Sequence, residues 1–406
     1  MITIVPFRAL RPEAQFAKAV ASKPYDVLSS KEAKIEAQGN PNTFLHVTKS
    51  EIDLPESLDV HSKEVYEKAN QNLQAFISRN VLFRENKPCY YLYRLTMNGK
   101  SQTGLVCGSS LEDYENGLIK KHELTRPEKE LDRINHIKLT GAQTGNVFMA
   151  YKNIPVIDEL VAKWTSEKSP QYDFIADDGI QHSIWIVSDN DTIHSITCSF
   201  KALVPCTYIA DGHHRAASAA KVKLSLDNLN ASYFLTTIFP SDQLTILDYN
   251  RVIKDLNGLS VEEFLKRTEE KFILQKQTTA FRPTRLHEFG LYIQDQWYKL
   301  TAKEGTYNEG PLSILDITIM QDNLLGPVLG IIDQRIDKRI DFVGGMRGLE
   351  ELENRVNSGE WALAISFYPV SIDQLINIAD SGNVMPPKST WFEPKLRDGL
   401  LTYIID

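Results

Sequence analysis

The chain has 406 residues, with 45 Lys plus Arg against 53 Asp plus Glu and a formal net charge of −8. This length exceeds what one hydrophobic core supports and predicts two or three domains; the acidic balance argues against nucleic acid or an acidic membrane as a general partner, so any anion has to be bound locally. Cys89, Cys107, Cys198 and Cys206 show no Cys-x-x-Cys spacing, and no apolar run approaches the roughly 20 residues of a membrane span, so a reduced, cytoplasmic protein outside the membrane is expected.

From the N-terminus, residues 2–7 read as a strand stopped by Pro6, and 11–20 as a short helix with Pro12 in its first turn. Asp26, just after Pro24-Tyr25, is either a turn residue or a functional carboxylate. Residues 30–37 read as a helix, 44–47 as a strand, and 64–79 as a helix whose apolar stripe is Val65, Ala69, Leu73, Phe76 and Ile77. Residues 89–97, the Asn98-Gly99 turn and 102–108 form the clearest hairpin.

Residues 119–133 are densely charged and read as helical, the plain reading being a solvated helix face. Within them His122, Glu123, Thr125, Arg126 and Arg133 supply a candidate base, a hydroxyl and two anion-binding guanidiniums. A metalloprotease pattern fails, because Arg126 stands where the second histidine would be needed. After the glycine-containing loop 140–146 come a strand at 147–151, a helix at 158–167, a strand at 172–176, and strands at 184–187 and 192–198 flanking the polar turn Asp189-Asn190-Asp191. His182 is expected to be structural.

The densest polar cluster is Tyr208-Ile209-Ala210-Asp211-Gly212-His213-His214-Arg215, followed by Ala216-Ala217-Ser218-Ala219-Ala220. It reads as strand, tight turn, helix: Gly212 frees the backbone and the alanines start a helix at once. Free amides and the positive end of the helix dipole then gather at this turn, where an anion is held by backbone donors, with Arg215 as a planar fork and Asp211 as a cap or metal-ligating carboxylate. Strands at 232–240 and 244–253 follow around Ser241-Asp242, with Arg251 at a strand end. From about Leu259 the character changes: a helix at 261–271, a hairpin at 290–300, a helix at 313–325, strands at 340–345 and 361–367, and a helix at 372–381. The stiff cationic loop 384–396 places Lys388 and Lys395 beside Ser389 at low entropic cost, and 400–405 closes as a strand.

Pro24-Tyr25-Asp26-Val27, His122-Glu123-Leu124-Thr125, the Tyr208 to Arg215 element and Met385-Pro386-Pro387-Lys388-Ser389-Thr390 together resemble the domain-of-unknown-function 1015 family over nearly the whole chain. Asp211-Gly212-His213-His214-Arg215 is also similar to the phosphate-binding element of the ParB and sulfiredoxin superfamily, which includes nucleotide-dependent free serine kinases with an Asp-Gly-His-x-Arg segment. The resemblance implies a ParB/sulfiredoxin-like nucleotide-binding core in which Gly212, His213, His214 and Arg215 grip nucleotide phosphates with Mg²⁺ nearby. The reactive cysteine of sulfiredoxin is absent, histidines occupying its place, and no helix-turn-helix points to DNA clamping.

The expected fold is α+β with mixed sheets: residues 1–255 carry the Asp211 to Arg215 site, and 256–406 form a second α+β domain whose last loop returns to the cleft. The expected reaction is phosphoryl transfer from ATP or ADP, with Mg²⁺, to a small hydroxy-amino acid, first of all free L-serine to give O-phosphoserine. Glu123, Asp211 and His214 are the catalytic candidates, Glu123 as base with Asp26 its rival and Asp211 also the metal ligand. Gly212, His213, His214, Arg215, Arg126, Arg251 and Lys388 are assigned to nucleotide, and Asp26, His122, Thr125 and Ser389 to substrate. One alternative is metal-dependent phosphoester hydrolysis through Asp211, His213 and His214, although adjacent histidines diverge on a helix. The other is a nucleotide- or metabolite-binding regulatory protein without catalysis. Small molecules are the expected partners, membrane and nucleic acid are not, and a homodimer is left open.

Overall fold

The computed structural model describes residues 1–226 and 228–405 and has a mixed α+β fold. It divides into two compact units, Met1–Leu244 with Pro394–Asp406, and Thr245–Glu393. The expected boundary lay near residue 255, with everything beyond it in the second domain. The tail joins the first unit through its backbone: Tyr403–Ile404 pairs with Ala142–Gln143, and bridges link Thr402 to Leu10 and Asp398 to Ser22.

The first unit is built on a nine-stranded sheet ordered Ile119–Lys120, Thr207–Asp211, Val147–Tyr151, Tyr233–Pro240, Lys100–Ser110, Tyr90–Met97, Gln181–Val187, Tyr172–Ile175, with Ile4–Val5 also paired to Lys100–Ser110. Two pairings are parallel, Ile119–Lys120 with Thr207–Asp211 and Val147–Tyr151 with Tyr233–Pro240; the others are antiparallel. The Tyr90–Met97/Lys100–Ser110 hairpin turns at Asn98 and Gly99, with φ of 52° and 77°, the left-handed pair that a two-residue hairpin turn demands. Leu92, Leu105, Met149, Ile209, Phe234 and Ile238 form the core with Ile157, Ile196, Phe200, Ala216 and Ala219 from the covering helices.

Four short segments fold otherwise than their patterns suggest. Leu10–Pro12 is a strand against Leu82–Arg84 rather than the start of a helix, with Arg11 buried on Glu85 and Tyr172. Leu45–Thr48 is a helix, because Phe44 and Val47, three apart, share a cluster with Phe76. Asn190–Leu203 is a helix rather than a strand: the Asp189 carboxylate accepts from Thr192 N, and Ile196 and Phe200 are buried one turn apart. The charged run at 119–133 is no single helix. It forms a two-residue strand, a connecting segment, and the helix Pro127–Thr140 opened by proline at its first position.

The second unit is a six-stranded antiparallel sheet, Phe272–Gln277, Gln296–Ala302, Glu288–Ile293, Leu363–Phe367, Tyr249–Ile253, Ile340–Gly344. Capping boxes at Ser260/Glu263 and Ser371/Gln374 start its helices Val261–Lys271 and Ile372–Asp380. The apolar run expected to be helical at 313–325 is a short helix, Asp316–Met320, passing into a π turn, Gln321–Leu325. No helix among the described residues is long and apolar enough to cross a membrane.

Candidate functional site

Strand direction assembles the site in the first unit. Ile119–Lys120 runs parallel to Thr207–Asp211, so the segment after Lys120 and the turn after Asp211 leave the sheet at the same end. Val147–Tyr151 runs antiparallel, with Phe148 opposite Asp211, which brings Gly145 and Asn146 to that end as well. Gly212 sits there at φ 100°, the N-cap of His213–Lys223, and offers that helix no side-chain cap. A Cβ on Gly212 would stand 3.1 Å from the Arg215 guanidinium carbon and 3.3 Å from Val147 Cα, so both backbone and space call for glycine. The first helical bond is Ala216 N to Gly212 O, so the amides before it have no partner within the helix.

Arg215 folds back beneath this turn. Its Nη1 donates to Asn146 O, and its Nη2 lies 3.4 Å from Asp26 Oδ2 and 3.6 Å from Asp211 Oδ1. Its Nε is buried with no hydrogen-bond partner among the described residues. Burial works against its charge, but Asp26 and Asp211 more than offset that and hold its pKa above the ordinary arginine value. Asp211 meets a second cation, Lys395 Nζ at 2.9 Å from Oδ2. Burial alone would raise the Asp211 pKa; Lys395 and Arg215 outweigh it and hold the carboxyl well below the usual carboxylate range.

The two histidines diverge from the helix start. The His122 amide donates to His213 Nε2 at 3.4 Å, the two rings meet edge to face at 4.5 Å, and Glu123 Oε2 lies 3.7 Å from His213 Nδ1. The Arg126 amide donates to His214 Nε2 at 3.0 Å. Thr125 Oγ1 donates to Glu130 on Pro127–Thr140, which also binds Lys221. Burial pushes His122 down to about 4 and His213 well below the usual histidine value. Burial likewise lowers His214, although Glu130 and Asp26 pull the other way.

Asp26, His122, Glu123, Thr125, Arg126, Asp211, Gly212, His213, His214 and Arg215 thus all belong to this one neighbourhood of the first unit. Arg251, Lys388 and Ser389 belong to the second. There Arg251 is fully buried between the Phe342 and Phe367 rings and donates to the carbonyls of Tyr249 and, at 3.1 Å, Lys388. Lys388 has φ 55° with Nζ 5.7 Å from the Tyr249 ring centre, and Ser389 Oγ donates to Pro386 O. Arg133, read as an anion clamp, is spent on Asp132 and the face of Tyr25, 3.8 Å from its ring centre. His182 is structural: it is fully buried, 2.8 Å from Tyr93 OH and accepting from Arg397 Nε at 3.3 Å.

The sequence does not single out Glu130 or Asp398; it marks Asn146 only as part of a loop able to line a pocket, and Lys395 as a lysine of a loop expected to return to the cleft, without naming Asp211 as its partner. Asp398 is 2% exposed with Oδ2 unpartnered among the described residues, and burial raises its pKa to about 7 against the opposing pull of Arg215. Its one signal was Asp398-Gly399, four residues beyond Pro394, easily read as an ordinary turn. A cavity of about 20 Å³ beside Tyr25, Arg133, Gly145 and Arg215 has room for one water. Among the described residues no three His, Cys, Asp or Glu side chains are grouped to hold a metal ion. Asp211 faces two cations instead, so this donor set does not make a resident Mg²⁺ site.

The model of a family described as a protein of unknown function, DUF1015, matches residues 4–318. The chain belongs to that family. Free serine kinase in complex with AMP is similar at 13% identity and TM-score 0.38, covering 72% of this chain and 91% of that one. A mutant free serine kinase with ADP is similar at 12% and 0.37, covering 72% and 92%. A conserved hypothetical protein from Pyrococcus furiosus is similar at 14% and 0.36, covering 73% and 93%. No curated protein matches the sequence. At such identities and scores, the chemistry of this DUF1015 member rests on its own residues.

Proposed function

We propose that the chain is a nucleotide-dependent phosphotransferase that moves a phosphoryl group from ATP or ADP to a small hydroxy-amino acid, with free L-serine as the leading acceptor. The observation that carries this reading is the Gly212 turn: an uncapped helix N-terminus with Arg215 folded beneath it and a carboxylate, Glu123, alongside. Backbone donors and a fixed guanidinium are what a transferring phosphoryl group requires, since its transition state is stabilised mainly by position and charge. The acceptor hydroxyl bonds to the terminal phosphorus, the bond from phosphorus to the leaving nucleotide oxygen breaks, and Glu123 takes the hydroxyl proton. Arg215 and Lys395 offset the charge that develops, while Asp26 and Thr125 orient the acceptor. Mg²⁺ would enter on the nucleotide phosphates and neutralise part of their charge.

The second reading, a nucleotide-binding regulatory protein without catalysis, draws on Arg215 being already shared between Asp26 and Asp211. One experiment separates the two. The protein is incubated with ATP or ADP, with and without Mg²⁺, and a panel of hydroxy-amino acids, and phosphoserine is measured beside calorimetric nucleotide binding. Product formation supports the kinase; binding with no turnover on any pair removes it in favour of the regulator.

A further inference from the structure

His213 and His214 follow one another on a helix, where successive side chains point about 100° apart. They therefore cannot converge on one ion, but they can reach the two ends of a neighbouring segment. In this chain they do so, His213 taking the amide of His122 and His214 the amide of Arg126. An amide can only donate, so both Nε2 atoms are unprotonated and each neutral ring carries its proton on Nδ1. For His213 that proton faces Glu123 Oε2 at 3.7 Å, beyond hydrogen-bond length but within reach of a small side-chain rotation. A third tie, Thr125 to Glu130, holds the middle of the same segment to the next helix.

We infer that His213 and His214 are positioning residues, a pair of neutral imidazoles that clasp segment 122–126 by its backbone at both ends and, through His213, orient Glu123. Their ring acceptors are occupied by main-chain amides. An anion at the Gly212 turn is then left to the backbone donors and Arg215, and the histidines act on the reaction only through the segment they hold. The clasp itself stands apart from the proposed reaction; only the orientation of Glu123 rests on that reading.

The test is amide hydrogen exchange on the full chain for His213→Leu, His214→Leu, His213→Gln and His214→Gln. Leucine removes the acceptor, while the glutamine carbonyl restores one near the Nε2 position. The expected result is exchange about five- to tenfold faster at the clasped amide in each Leu variant, His122 for position 213 and Arg126 for position 214. The Tyr233–Pro240 strand should be unaffected, and protection should be largely recovered in the Gln variants. Unchanged exchange at both amides in the Leu variants overturns the clasp. If a Leu variant loses protection throughout the sheet, its Gln partner decides: retained protection supports the clasp and lost protection overturns it. Should serine phosphorylation be found, His213→Leu is expected to lower kcat with the nucleotide KM within about twofold; a phosphate-ligand role would instead raise that KM in Leu and Gln variants alike. Normal exchange effects with no turnover refute the kinase and leave the clasp standing.

Discussion

At the scale of single residues, Lys395–Asp211 and Asp398 respond to pH in opposite senses. The Asp211 carboxyl is held below its unfolded value of about 3.9, so the stability it contributes is present above that pH and is lost as pH falls through the lower folded value. Both side chains are partly exposed, at 17% and 31%, which places Lys395→Met between a surface and a buried pair, at about 1–3 kcal/mol. Urea titrations should show that difference flat above pH 5 and shrinking below about 4. Asp398 is the reverse case, its pKa raised to about 7. Its folded form holds the proton more tightly than the unfolded chain does, so its contribution is complete below about 3.9 and is lost as pH rises to 7. Asp398→Asn should flatten the fall in stability over that window, and an unchanged pH profile would mean that the carboxyl is ionised throughout.

At the scale of elements, Gly212 and Gly39 make a controlled pair. Both have positive φ, 100° and 78°, but among the described residues a Cβ at Gly39 meets nothing within 4 Å, whereas one at Gly212 meets Val147 Cα and Arg215. Gly39→Ala should cost about 1 kcal/mol of backbone strain, and Gly212→Ala about 2–4 kcal/mol together with displacement of Arg215, measurable by denaturation and nucleotide titration. The Gly212 turn was legible in the sequence because glycine followed by alanines fixes both a turn and a helix start. The Tyr90–Met97/Lys100–Ser110 hairpin was legible through Asn98-Gly99. Leu45–Thr48 and Asn190–Leu203 were not: a four-residue apolar run fits either period, and Asp189-Asn190-Asp191 serves equally as hairpin turn or helix cap. The 122–126 segment was misread as helix because its charges carry no period, and the parallel pairing that places it is invisible locally.

For the whole molecule, the decisive feature is the return of the tail to the first unit. Leu396, Leu400, Leu401, Tyr403 and Ile405 are each no more than 5% exposed. At about 1.5–3 kcal/mol per buried side chain, their loss rivals the total stability of an ordinary domain, about 5–15 kcal/mol. A chain stopped after Glu393 should therefore lose the cooperative unfolding of the first unit in calorimetry while Thr245–Glu393 keeps its own transition. Survival of both transitions would show that the first sheet is self-sufficient. The lysines of the last loop led to the expectation that it returns to the cleft, but no local pattern announces its partners, since the contacts join residues far apart in sequence: 184 positions separate Lys395 from Asp211, and 219 separate Arg397 from Asp178.

That separation also sets an order of events on the ribosome. The Asp211 to Arg215 turn leaves the exit tunnel long before Lys395 is translated, so the nascent carboxylate waits through synthesis of the entire second unit for its partner. At about 5–20 residues per second, this delay is on the order of ten seconds or more, far longer than helix or hairpin formation. A message broken within the second unit yields a polypeptide that contains every residue of the Gly212 turn yet lacks Lys395 to hold Asp211, so an intact reading frame is a precondition for a finished site.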